Sequence, residues 1–142
     1  MHTGRVGPCW WMVTQGVVTP DIHAQIVQTA RAWTASTTPS CMLHIAHDVT
    51  PPSAAERSEL ASLVRNSSPL HLRGWALVTN SALVRGALTA INWMAKTDVQ
   101  QGVFSSPRDG LSWLRERHPD VDVDAVEAAA AAAAPRYPTW RW

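Results

Sequence analysis

Gly74-Trp75-Ala76-Leu77-Val78-Thr79-Asn80-Ser81-Ala82-Leu83-Val84-Arg85-Gly86-Ala87-Leu88-Thr89-Ala90-Ile91-Asn92-Trp93-Met94-Ala95 decides the fold class of this chain. The first seven residues read as a buried strand bounded by a turn. Ser81 then opens a helix whose apolar residues fall at Val84, Ala87, Leu88, Ile91 and Ala95. That spacing places them on one face of a helix laid against a sheet. Leu77, Val84, Leu88 and Ile91 are the expected core of this unit.

The same order recurs on both sides of it. Upstream, Trp10-Trp11-Met12-Val13-Thr14 reads as a strand, and Thr19-Pro20-Asp21 opens a helix with an N-cap, a proline at the first position and an acid in the first turn. Ile22, Ile26, Val27, Ala30 and Trp33 form its stripe, and Pro39 limits it. Cys41-Met42-Leu43-His44-Ile45-Ala46-His47 is the next strand, apolar without strict alternation, as a strand covered on both faces should be. Ser53-Ala54-Ala55-Glu56 is a capping box ahead of Leu60, Leu63 and Val64. Downstream, Gln101-Gly102-Val103-Phe104 precedes Ser106-Pro107-Arg108-Asp109, another helix start, with Leu111, Trp113 and Leu114 turned inward. Repeated strand–helix units predict an α/β domain of about four successive βα units: a mainly parallel sheet of four to five strands, with helices over 20–36, 53–66, 81–95 and 107–117.

The ends differ from this middle. Residues 1–9 read as an N-terminal arm, 10–118 as the α/β domain and 119–142 as an alanine-rich helix or linker with an aromatic tail. Ala128 to Ala134 favour helix, yet alanine offers no stripe large enough to dock firmly. The tail Arg136-Tyr137-Pro138-Thr139-Trp140-Arg141-Trp142 carries aromatics that a merely soluble end would not need. Tyr137, Trp140 and Trp142, flanked by Arg136 and Arg141, are expected to dock on their own domain or on a second copy, a homodimer.

Composition narrows the function. The 142 residues suit one domain, and 46% are hydrophobic. With 12 basic and 11 acidic side chains the net charge is +1, which gives no electrostatic reason to expect nucleic acid or an anionic membrane. No stretch has the length of a transmembrane segment, and no apolar signal-peptide core follows Met1, so a cytoplasmic protein is expected. Cys9 and Cys41 are too few for a disulfide framework and lack zinc-ligand spacing. Eight tryptophans stand against one tyrosine and one phenylalanine. Trp10, Trp33, Trp75, Trp93 and Trp113 fall inside the elements, where packing is their expected role.

The strand–loop–helix with Asp48, a Pro-Ser capped start and Arg57 resembles one half of a known pattern. Ala76-Leu77-Val78-Thr79-Asn80-Ser81-Ala82-Leu83-Val84-Arg85-Gly86 resembles the other, and Pro107-Arg108-Asp109-Gly110-Leu111-Ser112-Trp113-Leu114 is similar to its closing helix. Together, over residues 10–118, these resemble bacterial STAS-like proteins with the SpoIIAA-like (anti-sigma-factor antagonist) fold. The resemblance implies successive strand–helix turns, no cofactor chemistry, and a role in signalling or regulation through a protein partner. In the family's phospho-switch members a serine at the start of the helix after a central strand takes a phosphate, whose charge breaks a packed contact. The corresponding region here is Asp48 to Ser53. Thr50-Pro51-Pro52-Ser53 stands where the family has an Asp-Ser-Ser-Gly type string, so Ser53 is expected to cap its helix rather than to accept phosphate.

Candidate sites follow from the topology. Crevices of open α/β sheets form outside the carboxyl ends of the strands. The edge there gathers His47, Asp48, Thr50, Ser53, Asn80 and Ser81, where an anion or simple capping are the two uses of the helix starts. Arg85 and Trp93 fall off the apolar stripe and could face a partner. His44 and His47 sit at opposite strand parity and cannot share a metal; a satisfied core or rim role is expected of His44, His47 and Asp48. Two functions compete: a non-enzymatic STAS-like interaction module, and a carrier or sensor holding a small apolar ligand in a Trp-lined pocket. An enclosed apolar cavity would favour the second, a flat Arg/Trp surface the first. Catalysis would need His47, Asp48 and Ser81 within hydrogen-bond reach.

Overall fold

Four helices begin at the caps read from the sequence. Thr19, Ser53, Ser81 and Ser106 each have extended backbone and accept the backbone N–H three residues on. The computed structural model describes residues 1–66, 71–96 and 98–133. In chain order the elements are β1 (His2–Val6), β2 (Cys9–Gln15), α1 (Pro20–Thr34), β3 (Ser40–His47), α2 (Ala54–Arg65), β4 (Leu72–Val78), α3 (Ala82–Ala95), β5 (Gln101–Phe104), α4 (Pro107–Arg117) and α5 (Val123–Ala133).

The strands form one sheet in the order β1-β2-β3-β4-β5. β2 to β5 are parallel, so strand order repeats chain order, and β1 pairs antiparallel to β2. The expected α/β architecture with a mainly parallel sheet is therefore the observed one. α1, α2 and α3 cover one face, packing Ile26, Val27, Trp33, Leu60, Val64, Val84, Leu88 and Ile91 onto Met12, Met42, Trp75 and Leu77. α4 and α5 cover the other, packing Leu111, Leu114, Val123, Val126 and Ala130 onto Trp11, Val13, Leu43, Ile45, Ala76 and Val78. Leu77, Val84, Leu88 and Ile91 are all buried, as their spacing predicts.

Two terminal segments depart from the reading. The N-terminal arm is largely the strand β1, joined to β2 by the two-residue turn Gly7-Pro8, in which Gly7 takes φ +54°. A positive φ at the first turn residue is what a tight hairpin demands of glycine. His2-Thr3-Gly4-Arg5-Val6 lacks an apolar run, so periodicity could not reveal it. The alanine segment also docks. α5 buries Val123, Val126 and Ala130 against the sheet, and the Arg108 guanidinium of α4 pairs with both Asp124 and Glu127. Small side chains here allow close approach, so the valines need no broad stripe. The tail residues Arg136, Tyr137, Trp140, Arg141 and Trp142 lie outside the described residues.

Candidate functional site

The carboxyl ends of the strands are occupied mainly by caps. The Ser53 hydroxyl accepts from the Glu56 N–H at 3.3 Å, and the Glu56 carboxylate accepts from the Ser53 N–H at 2.6 Å. Those bonds from Ser53 hold the Glu56 carboxyl below its ordinary value. The Ser81 hydroxyl accepts from the Val84 N–H at 3.3 Å, while the Ser81 N–H donates to the Thr79 hydroxyl at 3.2 Å. His47 Nε2 lies 3.1 Å from Asp48 Oδ2. Strand alternation would send these neighbours apart; Asp48 at φ +47° turns its side chain back. The Thr50 N–H donates to the Gly16 carbonyl at 3.3 Å, tying the loop after β3 to the loop after β2. Asn80 and Arg85 are exposed, and Trp93 is 79% exposed on α3, so this tryptophan is not core packing.

Below that edge the sheet and its three helices do not close. A cavity of about 90 Å³ lies between β2, β3 and β4 and helices α1, α2 and α3. Val18, Val49, Thr50 and Pro52, from the loops after β2 and β3, stand at its strand-end side, and His23 of α1 also lines it. The wall is formed by Met12, Met42, Ala46, Leu60, Leu77 and Leu88. At the other end Trp33 and Trp75 meet edge-to-face, ring centroids 6.0 Å apart and planes at 72°. Such a pair prefers this geometry because the positive edge of one ring meets the negative face of the other.

His44 is the polar residue at the middle of this wall. Its strand register sets it between Met12 of β2 and Leu77 of β4. Its Nε2 is 3.3 Å from the Thr14 hydroxyl, and Thr14 is only 2% exposed. Its Nδ1 is buried without a hydrogen-bond partner. The expectation of a satisfied core histidine is thus half met: one ring nitrogen is paired and the other is not. Burial pushes the His44 pKa from 6.5 down to about 4, so the imidazole is neutral near pH 7. The indole N–H groups of Trp33 and Trp75 are also buried without partners.

A Thr–His pair resembles a nucleophile with its base; here no third group orients the ring through Nδ1. The Cys9 thiol, on the opposite face of the sheet, is pushed well up by its hydrogen bond to Cys41 and by burial, which keeps it protonated and unreactive. Among the described residues no three His, Cys, Asp or Glu side chains stand together as metal ligands would.

No family model, curated protein or solved structure matches this chain. No helix among the described residues is long and apolar enough to cross a membrane.

Sequence reasoning named the strand-end residues and missed Thr14 and the open ring nitrogen of His44. A signal was present: Thr14 and His44 are polar residues within two mainly apolar, doubly covered strands. Their pairing across thirty positions required the register of β2 on β3.

Proposed function

We propose that this chain is a non-enzymatic binding module that takes a small apolar molecule into the cavity under α1, α2 and α3. The observation that carries the reading is the cavity itself, walled by Met, Leu, Ala and Trp side chains and reaching the strand-end loops. Ligand sites are concave and mainly apolar, with few polar groups, and they favour this end of α/β sheets. An engineered apolar cavity of about 150 Å³ takes benzene or xenon. At about 90 Å³ this one suits a single ring or a short branched chain, with limited yielding of its walls. Titration with benzene, followed by methyl NMR, tests it. Shifts clustered on Met42, Leu77, Leu88 and Ile91 are expected. Their absence at saturating benzene would refute the reading.

A second reading has its own support. One helix per crossover in a sequential parallel sheet is what the STAS-like resemblance implies, and Arg85 and the exposed Trp93 on α3 are residue types that dominate protein interfaces. On that reading the chain signals by contact with a partner. An Arg85→Ala/Trp93→Ala variant that abolishes a partner complex while benzene binding persists would separate the surface role from the cavity.

A further inference from the structure

We infer that the cavity's ligand is an uncharged apolar alcohol or phenol whose single hydroxyl pairs with Nδ1 of His44. This rests on the cavity being a binding site. The argument starts from the cost of a buried polar atom with no partner, which is large enough that such atoms in native proteins call for an explanation. His44 Nδ1 is one, and it belongs to a side chain that lines the cavity. A water there would have to find two to four polar partners. Met12 and Leu77, which flank His44 across the sheet, offer none, and the Thr14 hydroxyl is already engaged with Nε2. A ligand brings its own hydroxyl and buries the rest of its surface on the apolar wall.

The pairing also selects the group. If the Thr14 hydroxyl donates to Nε2, then Nδ1 carries the proton and donates. If Nε2–H donates to Thr14, then Nδ1 is a bare acceptor. A hydroxyl serves either state, since it both donates and accepts. A carbonyl serves the first alone. A carboxylate is disfavoured in both. Burial keeps the His44 ring neutral, so it supplies no positive charge. The other histidine on the lining, His23, faces Glu59 at 3.0 Å and Glu56 at 3.6 Å, which surround it with negative charge.

The test uses the full chain with three probes of similar ring size: toluene, phenol and benzoate. Phenol is expected to bind about tenfold more tightly than toluene, the difference expected when one buried polar atom gains a partner. Benzoate is expected to bind more weakly than both. In His44→Phe, toluene should still bind and the preference for phenol should vanish. Independently of that variant's folding, the His44 ring ¹⁵N resonances of the wild type should move with phenol and stay with toluene. Toluene and phenol binding equally, or phenol leaving the ¹⁵N resonances unmoved, overturns this inference and spares the cavity as an apolar site. Failure of both toluene and phenol to bind overturns the cavity reading as well.

Discussion

The two faces of the sheet are packed to different densities. The α4–α5 face is tightly packed at Gly74. A methyl group added at Gly74 would meet Trp113, Leu114 and Arg117 side-chain carbons at 3.1, 3.2 and 3.3 Å. There Phe104 and Trp113 stack with centroids 5.5 Å apart, and the Arg117 guanidinium lies 3.7 Å from the Trp113 ring. On the α1–α3 face, by contrast, about 90 Å³ is empty. Buried polar atoms without partners occur on both faces, Trp11 Nε1 on the first and Trp33 Nε1, His44 Nδ1 and Trp75 Nε1 on the second. Native interiors are close-packed and satisfied. The α4–α5 face is close-packed at Gly74 where the α1–α3 face leaves a void, and neither face pairs every buried polar atom.

The largest test of this contrast is truncation. Leu114→Ala, on the filled face, should cost about 2–5 kcal/mol, as deletion in a tight core does. Leu88→Ala, on the cavity wall, should fall at the lower end of that range, because the side chain already lacks neighbours on one side. Urea denaturation of both variants checks the order. A larger cost at Leu88 would mean that the faces are equally well packed, and a cost below about 1 kcal/mol there would mean that the α3 stripe does not form core.

Acid sharpens the comparison next. The folded His44 pKa of about 4 lies below the unfolded value of 6.5, so the unfolded chain takes up the proton first as pH falls. The stability of the neutral buried ring is full above about pH 6.5 and declines towards pH 4, by about 3 kcal/mol in all. Glu56, whose carboxyl is held low, loses its share in the same direction, at lower pH. His44→Phe should lack the first component and keep the second. Comparing the unfolding free energies of wild type and variant at pH 7 and pH 4 isolates it; equal slopes would contradict a buried neutral His44.

The smallest effect is the sharpest in sign. Gly74→Val and Ala46→Val create the same side chain on opposite faces. The first should destabilise by about 1–3 kcal/mol through overpacking. The second fills part of the cavity and should stabilise by about 0.5–1 kcal/mol while weakening benzene binding. Matching signs in thermal denaturation would erase the distinction between the faces.

Much of the filled frame was legible because local signals agree with the global fold. Thr19, Ser53, Ser81 and Ser106 announce helix starts, and the stripe from Val84 to Ala95 announces the face that α3 buries. β1 was not legible, since a polar edge strand is defined by its partner β2 rather than by its own pattern. The docking of α5 escaped because small residues pack through backbone approach, which composition does not display. The cavity could not be read at all. Periodicity says which side chains turn inward, whereas a void depends on how the volumes of Met12, Met42, Ala46 and Leu88 sum in three dimensions. For the same reason, that Trp33 and Trp75 share the floor of this void emerges only in three dimensions.

Strand order that repeats chain order has a consequence for synthesis. As the chain emerges from its N-terminus, each βα unit can be laid on the edge left by the unit before it, with no strand waiting to be inserted between two others. Every intermediate therefore exposes a growing sheet edge, and the last strand, β5, is only four residues long, a blunt terminus that offers little template for a stray strand. The cavity is the late product of this order: it has no third helix over it until α3 arrives, so a nascent chain has no enclosed space beneath its helices before most of the protein has been made.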